Sequence, residues 1–186
     1  MRGVIPIVTR MDRPDELLAA AAAGGDAVAF SDLLERHYDR IFRLAFRLTG
    51  SAADAEDLTQ DVCLALPGKL SGFRGDARFT TWLYRVVVNA ATDRQRKSIR
   101  YARAAEGWGD VERARQAEAD EARDARDWLT RAMGCLPEDL RTTVALILDD
   151  LTHAEAAAVL GVSEGTVSWR VSEARKRLRA VKESEA

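Results

Sequence analysis

The chain has 186 residues, 47% of them hydrophobic and 31% charged, with a formal net charge of −2. That length suits one large domain or two small ones, and the hydrophobic content is that of packed cores rather than of a disordered chain. Only 4 prolines, abundant Ala and Leu and few alternating β-branched runs point to an all-helical protein. The apolar run Val4–Val8 is far too short for a signal peptide or a membrane span. Cys63 and Cys135 form no CxxC pair, so buried free thiols in a reducing cytoplasm are expected.

Residues 1–14 read as an N-terminal extension, in which Met11 opens a stretch resembling a natural start. Asp15 to Ala23 predicts a short helix, capped near Pro14 and stopped by Gly24 and Gly25. Phe30, Leu33, Leu34, Tyr38, Ile41, Leu44, Ala45 and Leu48 recur at helical spacing, so their aromatics are expected in the core, and Gly50 ends that helix. Ser51 starts the next one, with Ala55, Leu58, Val62, Ala65 and Leu66 inward and a break at Pro67-Gly68. On its other side Glu56, Asp57, Gln60 and Asp61 form a compact acidic patch. By physics alone this patch reads as a solvated face or as favourable charge near a helix start.

Phe73 to Arg78 is a loop mixing aromatic, basic and Gly residues, and Thr80 or Thr81 is expected to cap the helix that follows. Trp82, Leu83, Val86, Val87 and Ala90 face inward there. Arg85, Asn89, Asp93, Arg94, Arg96 and Lys97 fall mainly on other faces. Rings interleaved with cations suit an unpaired strand, with the rings stacking on bases and the guanidinium groups meeting phosphates. Phe73, Arg74, Arg78, Phe79 and Trp82 are therefore candidate contacts, with burial in the core the competing role for Phe79, Trp82 and Tyr84. A polar, Ala/Glu/Asp/Arg-rich stretch from about residue 98 to 125 sustains no apolar face and reads as a linker, with Trp108 either anchored or mobile. Trp128, Leu129, Ala132, Met133 and Leu136 open a second domain. Pro137 begins a helix whose core is expected at Leu140, Val144, Leu146, Ile147 and Leu148. Neither His37 nor His153 has a cysteine neighbour, and both are expected at the surface or in helix packing.

Leu151 to Val181 announces a docking geometry. Thr152 and Glu155 have the spacing of a capping box, Gly161 ends the helix, and Ser163 caps another after a turn of about three residues, which is helix-turn-helix spacing. Val167, Val171, Ala174, Leu178 and Val181 make one stripe. Ser163, Thr166, Ser168, Trp169 and Arg170 near the start suit a major groove, and Arg175 and Arg179 further along suit phosphates. The charge is segregated as well. Residues 69–103 carry 9 basic side chains against 2 acidic, residues 163–182 carry 6 against 2, and the segment between is acidic. Two cationic surfaces and a spacer suggest a nucleic-acid partner. A Gly-rich phosphate loop, metal-ligand spacing and a plausible triad are all absent from the sequence, so neither an enzyme nor a cofactor is expected.

Taken in order, DAEDLTQDV (Asp54–Val62), FRG…FTTWLYRVVVNAATDRQR (Phe73–Arg96), LPEDLR (Leu136–Arg141) and LGVSEGTV (Leu160–Val167) resemble bacterial sigma factors of the extracytoplasmic-function group. The resemblance implies region 2 over residues 15–100, a linker at 101–125 and region 4 over 126–183. It implies docking of Glu56, Asp57, Gln60 and Asp61 on the β′ coiled coil of core RNA polymerase, with region 4 resting on the β flap. It implies capture of the melted minus-10 strand by Phe73, Arg74, Arg78, Phe79, Trp82, Arg85, Asn89, Arg94, Arg96 and Lys97. Ser163, Thr166, Ser168, Trp169, Arg170, Arg175 and Arg179 would read the minus-35 duplex. The family usually carries a basic residue in place of Ser168 and a small polar one in place of Trp169, so its minus-35 sequence does not carry over. The resemblance also implies control by an anti-sigma factor and a cytoplasmic protein with no membrane insertion. A rival reading is a sigma-mimicking protein that sequesters an anti-sigma factor without binding promoters. Both basic blocks persist here, which favours the working factor.

Overall fold

The computed structural model describes residues 13–104 and 127–184, and every regular element among them is a helix. Helices α1 (Asp15–Ala23), α2 (Ala27–Thr49), α3 (Ala52–Leu70) and α4 (Phe79–Ala104) form one bundle. Helices α5 (Asp127–Gly134), α6 (Glu138–Ile147), α7 (His153–Leu160) and α8 (Glu164–Ser184) form another. None of them is long and apolar enough to cross a membrane.

The helix ends follow local chemistry. The Asp26 carboxylate, a cap that sequence reading passed over, accepts from the Val28 and Ala29 N–H groups at 3.0 and 3.1 Å. Gly50 closes α2 at φ 75°, where a side chain would be strained, and the Ser51 hydroxyl then accepts from Asp54 N–H at the start of α3. Three expected helix limits move. Helix α3 passes through Pro67 to Leu70: the proline nitrogen offers no hydrogen bond, but buried Leu66 and Leu70 on either side hold the last turn. Helix α4 begins at Phe79, before either threonine, because the Phe79 N–H is taken by the Glu16 carboxylate of α1 at 3.2 Å and the Trp82 N–H by the Arg78 carbonyl. At its far end α4 continues to Ala104, past the expected start of the linker. Most of the linker, Trp108 included, lies outside the described residues.

In the first bundle Leu18, Ile41, Leu44, Leu58, Val62, Leu70, Leu83 and Val87 fill the centre. Tyr38 and Ala65, expected inside, are exposed, since each sits at the edge of its helix's apolar stripe. His37 is buried instead, its ring 5.3 Å from that of Phe79 and its Nε2 2.8 Å from Asp15 Oδ2. Burial pushes its pKa below the usual histidine value, with Asp15 working in the opposite direction. The second bundle packs Leu140, Leu146, Val159, Val167, Val171 and Ala174. Leu148 is exposed, because α6 ends at Ile147 and the chain turns there. Cys135 is exposed too, and Cys63 is half-buried.

The helix-turn-helix is fixed by its caps. Thr152 accepts from Glu155 N–H at 3.2 Å, and the Glu155 carboxylate accepts from Thr152 N–H at 2.9 Å, which completes the capping box. Gly161 adopts φ 68° at the turn. Thr152→Ala should cost ~1 kcal/mol and lower the melting midpoint of the second bundle by about 4–8 °C. Calorimetry showing no shift would mean that α7 is held by packing alone.

Candidate nucleic-acid and protein interfaces

Helix α8 is held to α6 and α7 by Val167, Val171 and Ala174, and this leaves its remaining faces outward. At its start the Ser163 hydroxyl accepts from Thr166 N–H at 3.1 Å. Ser168 is 2.9 Å from His153 Nδ1, which orients the hydroxyl from α7. Trp169 is 61% exposed, its ring presented to solvent. Arg170 is turned back, its Nε 3.4 Å from the Asp139 carboxylate on α6. Ser168, Ser172, Arg175 and Arg179 lie along one exposed side.

The loop before α4 is built on a cluster of three rings. Phe73 meets Phe79 edge-on at 5.6 Å and Trp82 at 5.5 Å, and Phe79 and Trp82 are 5.7 Å apart. Phe79 is buried in a pocket walled by Leu33, Ile41, Leu70 and Leu83, because the first residue of α4 points into the bundle. It therefore braces the loop and offers no ring face for a base. Phe73 and Trp82 are half-buried, and Arg74 and Arg78 are exposed.

Along α4 the charged side chains divide. Arg85, Asn89 and Arg96 stand on one side of the helix, and Lys97 is exposed near them. Arg94 points the opposite way, onto α3, where one guanidinium reaches Asp54 at 3.1 Å, Asp57 at 3.0 Å and Asp61 at 3.6 Å. Arg94 is thus set apart from the other expected strand contacts: nine residues beyond Arg85, a helical position lies about half a turn away. Its partners belong to the acidic face of α3, where Glu56, Asp57, Gln60 and Asp61 are all exposed. At the C-terminal end of that face, one turn beyond Gln60 and Asp61, stands Leu64, 81% exposed. Sequence reading missed it, although a leucine four positions after Gln60 and seven after Asp57 must fall on the acidic side rather than the core side.

The two bundles meet where α4 packs on α7 and α2 on α6. At the centre is Asp149, in the turn after α6 that Asp150 closes at φ 64°. The Asp149 side chain is 4% exposed; Arg47 donates to it at 2.7 Å, while Arg43 and Arg40 stand 3.5 and 4.0 Å away. The Tyr84 hydroxyl of α4 also donates to it. Burial works to raise the Asp149 pKa, but the hydrogen bonds from Tyr84 and Arg47 and the charges of Arg47 and Arg43 outweigh it, and the net shift is downward. For Tyr84, burial and the same carboxylate push the pKa upward. Nearby, Arg78 is 3.6 Å from Glu155, Arg85 donates to the Ala158 carbonyl, and Arg141 donates to the Leu48 carbonyl at 3.4 Å. A polar cleft of about 220 Å³ lies beside Asp149, lined in part by Arg40, Arg43 and Arg78. In this arrangement the Arg85 side of α4 faces protein.

Comparisons with known proteins converge on one group. The Sigma-70 region 2 family matches residues 33–101, and the Sigma-70 region 4 family matches residues 126–178. The ECF RNA polymerase sigma factor SigM of Mycobacterium tuberculosis is 36% identical over 172 residues, covering 91% of this chain and 85% of its own. Among solved structures, CnrH in complex with the cytosolic domain of CnrY is similar at TM-score 0.68 and 27% identity, covering 92% of this chain and 99% of that one. The Bartonella quintana sigma factor RpoE in complex with the anti-sigma factor NepR shares the fold at TM-score 0.67 and 24% identity, covering 84% of this chain and 98% of that one.

Proposed function

This chain belongs to the extracytoplasmic-function RNA polymerase sigma factors, a family that binds RNA polymerase and promoter DNA, and on that premise we propose how its two halves divide the work. Residues 15–100 act as region 2 and residues 126–183 as region 4. The acidic face of α3, with Glu56, Asp57, Gln60 and Asp61 and with Leu64 at its end, docks on the β′ coiled coil, and region 4 rests on the β flap. Thr166, Ser168, Trp169, Arg175 and Arg179 meet the minus-35 duplex. Arg74, Arg78, Arg85, Asn89, Arg96 and Lys97, with Phe73 and Trp82, hold the melted minus-10 strand. Base stacking on aromatic rings is worth about 1–3 kcal/mol per base, enough to help keep a short opened stretch from closing inside polymerase.

The observation that carries this reading is the pairing, in one chain, of a capped helix-turn-helix with exposed Thr166-flanking groups and an aromatic loop feeding a basic helix. In the free chain Arg78 and Arg85 are engaged by α7, so the halves must part when polymerase binds. In this reading the protein acts in the cytoplasm and is held in check by an anti-sigma factor.

Run-off transcription tests this. Core RNA polymerase plus the protein should give promoter-specific transcripts from its own genome, with a footprint over both elements that appears only when core is present. No transcript on any such promoter would leave the sigma-mimicking reading in its place.

A further inference from the structure

The acidic face of α3 carries its own counter-ion. Asp54, Asp57 and Asp61 occupy successive turns of one side of the helix, and the Arg94 guanidinium from α4 lies across all three at 3.1, 3.0 and 3.6 Å. Asp57 and Asp61 remain 64% and 66% exposed in their side chains, so their outward lone pairs are open to solvent. Arg94 thus stands behind the carboxylates, within a few ångströms of the place any cationic partner group must reach.

We propose that Arg94 sets the strength of core binding, as a built-in positive charge that competes with the cationic surface the acidic face receives. The inference rests on the reading of that face as the polymerase dock. Two effects of Arg94 oppose each other. It restrains the two carboxylates, which helps a partner; it also cancels part of their field, which hinders one. The second prevails here, because α3 is already fixed from behind by buried Leu58, Val62 and Leu66, and a short Asp side chain on a fixed helix has little freedom left to lose. The field is not compensated elsewhere: among the described residues, no other basic side chain reaches Asp54, Asp57 or Asp61 within ion-pair distance. On the other side of α4, Arg85, Asn89 and Arg96 are left to the DNA, so the charge that tunes docking is separate from the charges that hold the strand.

The experiment measures binding of the full chain to core RNA polymerase for the wild type, Arg94→Gln and Arg94→Lys, at low and moderate salt. Melting curves confirm that each variant is folded. Arg94→Gln should bind core roughly three- to tenfold more tightly at low salt, with the gain shrinking as salt screens the charges. Arg94→Lys should return to the wild-type value. At matched core occupancy, capture of a single-stranded minus-10 oligonucleotide should be unchanged in Arg94→Gln. Weaker or equal core binding by Arg94→Gln overturns the proposal, as does loss of strand capture at equal occupancy, which would return Arg94 to the DNA. A wild-type chain that does not bind core at all would fail the docking reading itself, a result distinct from either.

Discussion

Replacing Asp149 with asparagine should part the two halves of the free chain. Three arginines of α2 and a tyrosine of α4 converge on this one carboxylate, which is almost wholly enclosed. Without its charge, Arg40, Arg43 and Arg47 lose the carboxylate they share. Removing one partner from a fully buried pair costs about 3–5 kcal/mol, but these arginines keep part of their surface in water, so ~2 kcal/mol is the appropriate scale. That corresponds to a shift of roughly 30-fold between closed and open arrangements. Small-angle scattering should register a larger radius of gyration, and a pair of fluorescent labels, one on each bundle, should move apart. Either bundle alone should melt as before. The freed Arg78 and Arg85 should raise the affinity of the isolated protein for single-stranded DNA. An unchanged scattering profile would show that packing of α4 on α7 holds the halves without the carboxylate. The pH dependence has a definite sign. Because the folded pKa of Asp149 is depressed, its contribution is fully present above the ordinary carboxylate value of about 3.9 and is lost only as pH falls through the depressed one. At neutral pH the closed arrangement should therefore be insensitive to small pH changes and sensitive to salt.

This enclosed ion cluster explains what could be read from the sequence and what could not. Signals confined to one helix were legible: the Thr152–Glu155 box, Ser163 with Thr166, Gly50 and Gly161 at left-handed turns, and the stripe Val167–Val171–Ala174. Each depends on residues a few positions apart. Asp149 carried no such signal, since its partners lie about 65 to 109 positions away and an Asp-Asp pair after an apolar helix reads as a solvated turn. Long-range capping failed for the same reason. The start of α4 is decided by Glu16, 63 residues earlier, and not by the threonines beside it. Among the site residues, the directions of Phe79 and Arg94 were not legible from residue type: their places on α4 turn one inward and the other onto α3.

The second large effect is expected at Leu64. A leucine left in water at the end of an acidic stripe gains nothing for the fold of the chain alone, and alanine is the better helix former at an exposed site. Leu64→Ala should accordingly leave the melting curve unchanged. If α3 docks on polymerase, the same side chain becomes an apolar anchor of the contact, beside Gln60 and Asp61 at the end of the acidic face, and a few desolvated anchors carry a disproportionate share of binding. Burying a leucine contributes ~1.5–3 kcal/mol, so core affinity should fall about 10- to 100-fold. Leu64→Glu should do worse despite making the face more acidic, because it places an unpaired carboxylate where water is excluded. That ordering separates the apolar anchor from plain charge attraction: tighter core binding by Leu64→Glu would mean that the face works through its field alone and that the exposed leucine plays no part in docking.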